Sequence, residues 1–157
     1  KGSVFKIFFP AARAETPPPP APPATVSIPP GAVILLAEDE EILREFGSLI
    51  LRKSGYHVLT ARDGVEALRV AEQFGRPFDL LFTDVVMPRM GGAELTRRFQ
   101  EKYPDIPVLL TSGYPKSILS ESGLEEDASD FLQKPYTTQS LLAKIREMLA
   151  PPARVEA

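Results

Sequence analysis

Three acids, two adjacent hydroxyls and a lysine stand where the apolar runs of this chain end. Glu38 and Asp39 follow Ala37, Asp84 follows Thr83, Thr111 and Ser112 close a third run, and Lys134 with Pro135 follows a fourth. If those ends converge, the carboxylates repel one another and cost stability unless a hard cation neutralises them. All-oxygen ligation with open water positions suits Mg²⁺. Lys134 would then be a point-charge partner for an incoming phosphoryl oxygen, and a hydroxyl of Thr111 or Ser112 a hydrogen-bond donor to another. Singly, each residue has a plainer reading: acids complementing a helix N-terminus for Glu38 to Glu41, a turn or cap residue for Asp84, a solvated lysine for Lys134. Placement at one common edge favours the site, and placement is a matter of the elements that carry these residues.

After Gly31 short apolar runs alternate with segments of helical period, the pattern of βα units around a parallel sheet. Strands are expected at 32–37, 57–61, 79–83, 107–111 and 129–133, and the unbroken apolar character of the first, third and fourth suits strands covered on both faces. Ile42, Leu43, Phe46, Leu49 and Ile50 recur on one face of a 3.6-residue period, and Leu141, Leu142, Ile145, Met148 and Leu149 repeat that spacing. Both segments read as amphipathic helices. Asp63 and Glu66 mark a second helix start as an N-cap and its reciprocal partner, and a third helix is expected from Gly92 to Tyr103. A further helix is placed in 115–127, where Ser and acids leave little periodicity. Five βα units without the eight of a barrel predict an α/β fold, a flavodoxin-like doubly wound parallel sheet with strand order 2-1-3-4-5. Its ligands bind beyond the carboxyl ends of the strands, near the first and third. The acids, the hydroxyls and the lysine all fall on that edge.

Four ordered segments now carry a specific resemblance: Leu35-Leu36-Ala37-Glu38-Asp39-Glu40, then Phe82-Thr83-Asp84-Val85-Val86-Met87-Pro88 with Gly91 and Gly92, then Leu110-Thr111-Ser112-Gly113-Tyr114, then Phe131-Leu132-Gln133-Lys134-Pro135. Together they resemble the successive signatures of response-regulator receiver domains. The Ser-Gly-Tyr and Leu-Gln-Lys-Pro variants are similar to those of receivers fused behind histidine kinases. The resemblance implies that Asp84 accepts a phosphoryl group from the phosphohistidine of a histidine kinase or phosphotransfer domain. It implies that Asp84, Asp39 and the backbone carbonyl of Val86 are the protein's Mg²⁺ ligands, with Glu38 acting through water. Ser112 is the implied switch hydroxyl, because its spacing to Lys134 is the family's, with Thr111 one residue away as the alternative. Lys134, placed by a cis bond to Pro135, would hold the phosphoryl group, and Phe131 would stand for the family's rotating aromatic. Phe lacks the hydroxyl that Tyr supplies in many relatives, so switching here would rest on packing.

Composition narrows the function classes. At 43% hydrophobic and 25% charged the chain folds, and a net charge of -3 without a Lys/Arg tract gives no footprint for nucleic acid. Cysteine is absent, which excludes disulfide and thiolate chemistry and suits a cytoplasmic location. No run approaches the roughly 20 apolar residues of a membrane span, so direct membrane contact is not expected, although a parent chain can be anchored. Val4 to Phe9 loosely imitates a secretory signal, but Lys6 interrupts it and Pro10 ends it. Residues 1–15 resemble the last strand of a kinase ATP-binding domain, 16–31 form a Pro-rich linker, 32–150 the receiver and 151–157 a tail. The expected parent is therefore a hybrid sensor histidine kinase. Self-association as a homodimer stays open. Three rivals remain: a degenerate receiver used only for contacts, a flavin binder, and an aspartate-nucleophile phosphatase. The last wants a second Asp two residues beyond the nucleophile, where this chain has Val86.

Overall fold

A computed structural model describes residues 31–114 and 130–150. Five strands, β1 (Val33–Ala37), β2 (His57–Ala61), β3 (Leu80–Asp84), β4 (Val108–Ser112) and β5 (Asp130–Gln133), form one sheet in the order β2-β1-β3-β4-β5. Every pairing is parallel. The expected architecture is therefore present. β3 and β4 are buried at every position, whereas β2 and β5, at the sheet's edges, are not. That contrast is what coverage of both faces demands of central strands.

Four helices are described: α1 (Glu41–Lys53), α2 (Gly64–Phe74), α3 (Gly92–Lys102) and α4 (Thr138–Leu149). Alternation along the strands divides the core in two. Leu35, Leu81, Val108 and Leu110 pack with Ala67 and Ala71 of α2 and with Leu95 and Phe99 of α3. Ile34, Leu36, Phe82 and Leu109 pack with Ile50 and Leu51 of α1 and with Leu141 and Ile145 of α4.

Local chemistry sets the helix ends. The Asp63 carboxylate accepts the Glu66 N–H at 3.0 Å, as an N-cap does. Glu66 does not return the bond to the cap itself; its carboxylate accepts from the N–H of Arg62, one residue earlier, at 3.0 Å. Thr137 and Ser140 close a reciprocal capping box on α4. α3 ends at Lys102, one residue short of expectation. β3 and β4 each begin and end one residue later than expected, so Asp84 and Ser112 are the last residues of their strands.

The periodic stripe of α1 requires a larger correction. Ile42, Phe46 and Leu49 are 74%, 43% and 52% exposed, while Gly47, Ser48, Ile50 and Leu51 face the sheet. Gly47 explains the rotation: even a Cβ there would stand 3.3 Å from Leu36 Cδ2, so the helix rests on its glycine and turns three large apolar side chains outward. The helix expected in 115–127, the N-terminal segments 1–15 and 16–30 and the tail 151–157 lie outside the described residues.

Candidate functional site

Parallel strands end together, so the residues that close β1, β3, β4 and β5 share one rim of the sheet. Glu38 continues the β1 ladder by donating its N–H to the Ala61 carbonyl at 3.0 Å. Its side chain turns inward and is 2% exposed, whereas Asp39, the next residue, is exposed. Arg44 of α1 reaches back to the carbonyls of Glu38 and Asp39 at 2.8 and 3.2 Å, which fixes the backbone on which both acids sit. Asp84 is buried at the end of β3 and accepts the Val86 N–H at 3.2 Å. Glu38, Asp39 and Asp84 each present a carboxylate oxygen within 4.8 Å of the others.

Lys134 arrives from the far side of the sheet. Its N–H donates to the Ser112 carbonyl at 2.9 Å and its bond to Pro135 is cis. Nζ donates to Glu38 Oε2 at 2.8 Å and to Asp84 Oδ2 at 2.5 Å. One lysine thus bridges two of three carboxylates, leaving an excess of negative charge. Crowded hard oxygens on a rim open at Asp39 are the donor set that a small divalent cation prefers, so the residues fit Mg²⁺.

Burial and charge oppose each other at both Glu38 and Lys134. Burial raises the Glu38 pKa above its ordinary 4.5; Lys134 pulls it down through hydrogen bond and charge, and the Asp84 carboxylate adds to the rise. Burial works to lower Lys134, but hydrogen bonds and attraction from Asp84 and Glu38 together hold it above 10.5. The lysine has two counter-charges, while Glu38 has one lysine and one like-charged neighbour.

Thr111 and Ser112 are both about 1% exposed. Thr111 lies beside Asp84 in the β3–β4 register, and its Oγ1 is buried without a hydrogen-bond partner. Ser112 Oγ accepts the Tyr114 N–H at 3.0 Å. Phe131 pairs with Leu110 and packs, partly buried, on the core face that α2 and α3 cover. Glu38, Asp39, Asp84 and Lys134 are therefore brought into one cluster, with the two hydroxyls on the adjoining strand end and Phe131 further down the edge strand.

Tyr136 is a neighbour that the motifs did not point to. Its ring meets Phe82 edge-on at 6.1 Å. Burial, with the negative charge of Glu38, pushes its phenol up to about 12, against the pull of Lys134. A side chain two residues after a site lysine was its sequence signal. Leu43, Phe46, Lys134, Pro135 and Tyr136 line a mostly apolar groove of about 280 Å³, so one wall of that groove is the site lysine itself.

Comparison with known proteins bears on the family and the fold. The profile of the response regulator receiver domain family matches residues 34–146. The chain is 37% identical over 112 residues to the sensor kinase CckA of Brucella abortus, covering 71% of this chain and 12% of that protein. It is 39% identical over 114 residues to the response regulator receiver protein CpdR of the same organism, covering 72% of this chain and 92% of that one. Among solved structures, the receiver domain of the hybrid histidine kinase CckA superposes with a TM-score of 0.64 at 35% identity, covering 75% of this chain and 99% of that domain.

Proposed function

The chain belongs to the response regulator receiver domain family, and from that premise we propose that it takes a phosphoryl group from a phosphohistidine onto Asp84, with Mg²⁺, and changes conformation in consequence. The observation that carries this reading is the double hydrogen bond of Lys134 Nζ to Asp84 and Glu38, with Asp39 beside them. An acceptor carboxylate, two further acids and a cation from three strand ends are what charge neutralisation during phosphoryl transfer requires.

A carboxylate oxygen of Asp84 attacks phosphorus in line; the O–P bond forms as the N–P bond breaks, and the imidazole leaves. Asp39, Asp84 and the Val86 carbonyl would hold the cation, with Glu38 acting through water. When bound, Mg²⁺ neutralises charge on the transferred oxygens. Lys134 follows the phosphoryl group, exchanging its hydrogen bond to the Asp84 carboxylate for one to a phosphoryl oxygen. Ser112, whose oxygen already accepts from Tyr114, keeps its own proton free to donate, and Thr111 is the alternative donor. A phosphoryl group adds roughly two negative charges, which draws that hydroxyl inward and lets Phe131 move toward the space it leaves. Reversing a 1:99 population to 99:1 this way takes about 5.5 kcal/mol of differential stabilisation.

The phosphodonor is the histidine of a kinase or phosphotransfer domain, and the groove beside Lys134 supports a protein donor. Delivering a histidine to Asp84 requires covering the rim, where Phe46 and Pro135 offer apolar contact. This chain spans 12% of the length of CckA and about half that of the response regulator MprA of Mycobacterium leprae, to which it is 38% identical. Its likeness to CckA supports a hybrid sensor kinase as the parent, with the receiver in the cytoplasm. None of the described helices is long and apolar enough to cross a membrane.

Acetyl phosphate with Mg²⁺ is expected to add one phosphoryl group to the purified chain, read by intact mass, and Asp84→Asn to abolish the addition. An unchanged mass under saturating donor refutes the phosphoacceptor reading and leaves a contact-only module.

A further inference from the structure

Between β3 and α3 the chain makes a turn that its residue types do not favour. Arg89 has φ 63 and is the only non-glycine in the left-handed region among the described residues. The Met90 N–H donates to the Pro88 carbonyl at 2.7 Å, so Arg89 is the centre of a tight three-residue turn. Such a residue persists only where its surroundings over-determine it.

Those surroundings are the first turn of α2. Arg89 Nε donates to Asp63 Oδ2 at 2.9 Å, and its Nη2 donates to the same oxygen. Asp63 is 2% exposed, and its other oxygen is occupied as the cap of α2. Gly64 donates its N–H to the Met90 carbonyl at 3.0 Å, an approach that a Cβ would obstruct at 2.8 Å. At the other end the same segment is fastened to the site. Val86 N–H reaches Asp84, Val85 N–H reaches the Thr111 carbonyl at 2.9 Å, and Gly92 N–H reaches the Val85 carbonyl at 2.9 Å. The segment is a strap, anchored at the acidic cluster and latched at α2.

We propose that Asp63 and Arg89 are positioning residues for the cation site, their ion pair holding the strap that carries the Val86 carbonyl and whose Val86 N–H is bonded to Asp84. The proposal rests on the phosphoacceptor reading, which makes that carbonyl a ligand. Stability accounts for part of the pair: the Arg89 side chain is 48% exposed but its partner Asp63 is 2% exposed, and a buried carboxylate needs a counter-charge. Any basic residue in a relaxed backbone could supply that charge, whereas Arg89 supplies it from a turn unfavourable for a residue with a Cβ. Fixing a ligand-bearing backbone before the ion arrives accounts for that placement, since groups behind the ligands set metal affinity by orienting them.

Mn²⁺ binding to the full chain, followed by the electron paramagnetic resonance of the free ion, tests the latch. Asp63→Asn keeps a capping oxygen but withdraws the charge, and Arg89→Gly removes the guanidinium while relaxing the turn. Each is expected to weaken Mn²⁺ affinity about tenfold. The double variant is expected to be no weaker than either, because both remove the same contact. In Arg89→Gly the relaxed turn and the lost counter-charge of buried Asp63 act on the thermal midpoint in opposite senses, so Mn²⁺ affinity is read at a temperature at which circular dichroism shows each variant folded. Variants that bind Mn²⁺ as tightly as a binding-competent parent overturn the latch alone, whatever their midpoints. A parent that binds no Mn²⁺ overturns the phosphoacceptor reading together with the latch.

Discussion

Glu38 is the least comfortable residue of the rim: it is buried, faces another carboxylate and shares its only lysine. Because its folded pKa lies above 4.5, the fold favours its protonated form. The linked stability is therefore present below 4.5 and lost as pH rises through the folded value. Glu38→Gln removes that loss. In metal-free buffer at neutral pH its thermal midpoint is expected to exceed the parent's, with the gap closing as pH falls toward 4.5. A gap that widens on acidification would contradict the sign. The carboxylates and Lys134 were legible in the sequence because each ends an apolar run, and a parallel sheet gathers such ends. Arg89 was silent, since nothing in Met-Pro-Arg-Met betrays a left-handed backbone. Asp63 was legible only as a helix cap; its second partner is 26 residues away.

At the scale of the element, α1 shows why periodicity identifies a helix without orienting it. The apolar stripe is real, but two apolar faces overlap on this helix, and the one bearing Gly47 and Leu51 won because it permits the closest approach to β1. The remaining face, with Phe46 at its edge, borders the groove that includes Lys134. On the proposed function a protein donor would touch that face, whereas a small donor would reach Asp84 without it. Phe46→Ala is therefore expected to slow transfer from a phosphohistidine protein about tenfold, the usual scale for an aromatic anchor. Its rate with acetyl phosphate and its thermal midpoint should stay near the parent's. Equal slowing with both donors would assign Phe46 to the fold and not to docking. In α4, by contrast, Leu141 and Ile145 are fully buried, as their spacing indicated, because no competing face exists there.

For the molecule as a whole, the proposed cation at a negative rim would couple binding to folding. Any ion bound only by the folded chain stabilises it by mass action, about 2.7 kcal/mol at a hundred times its dissociation constant. Mg²⁺ is expected to raise the thermal midpoint by several degrees, and chelation to reverse the rise. Asp39→Ala should lose most of it while folding normally, because Asp39 is exposed. A midpoint indifferent to Mg²⁺ would mean that the carboxylates do not act as one ligand set. Alternation of runs made the βα units legible, and the doubly wound arrangement of five such units supplied the strand order, whereas the latch between α2 and the β3–α3 segment arises only once separate units meet. The parallel arrangement has one more consequence. β1 starts at the rim opposite the carboxylates, and the last turn of α4 returns to that same opposite end, where Arg146 lies near Tyr56 at the start of β2. Gly31 and Ala150, which bracket the described fold, therefore both lie toward the rear of the molecule, so neither crosses the mouth at which the carboxylates gather.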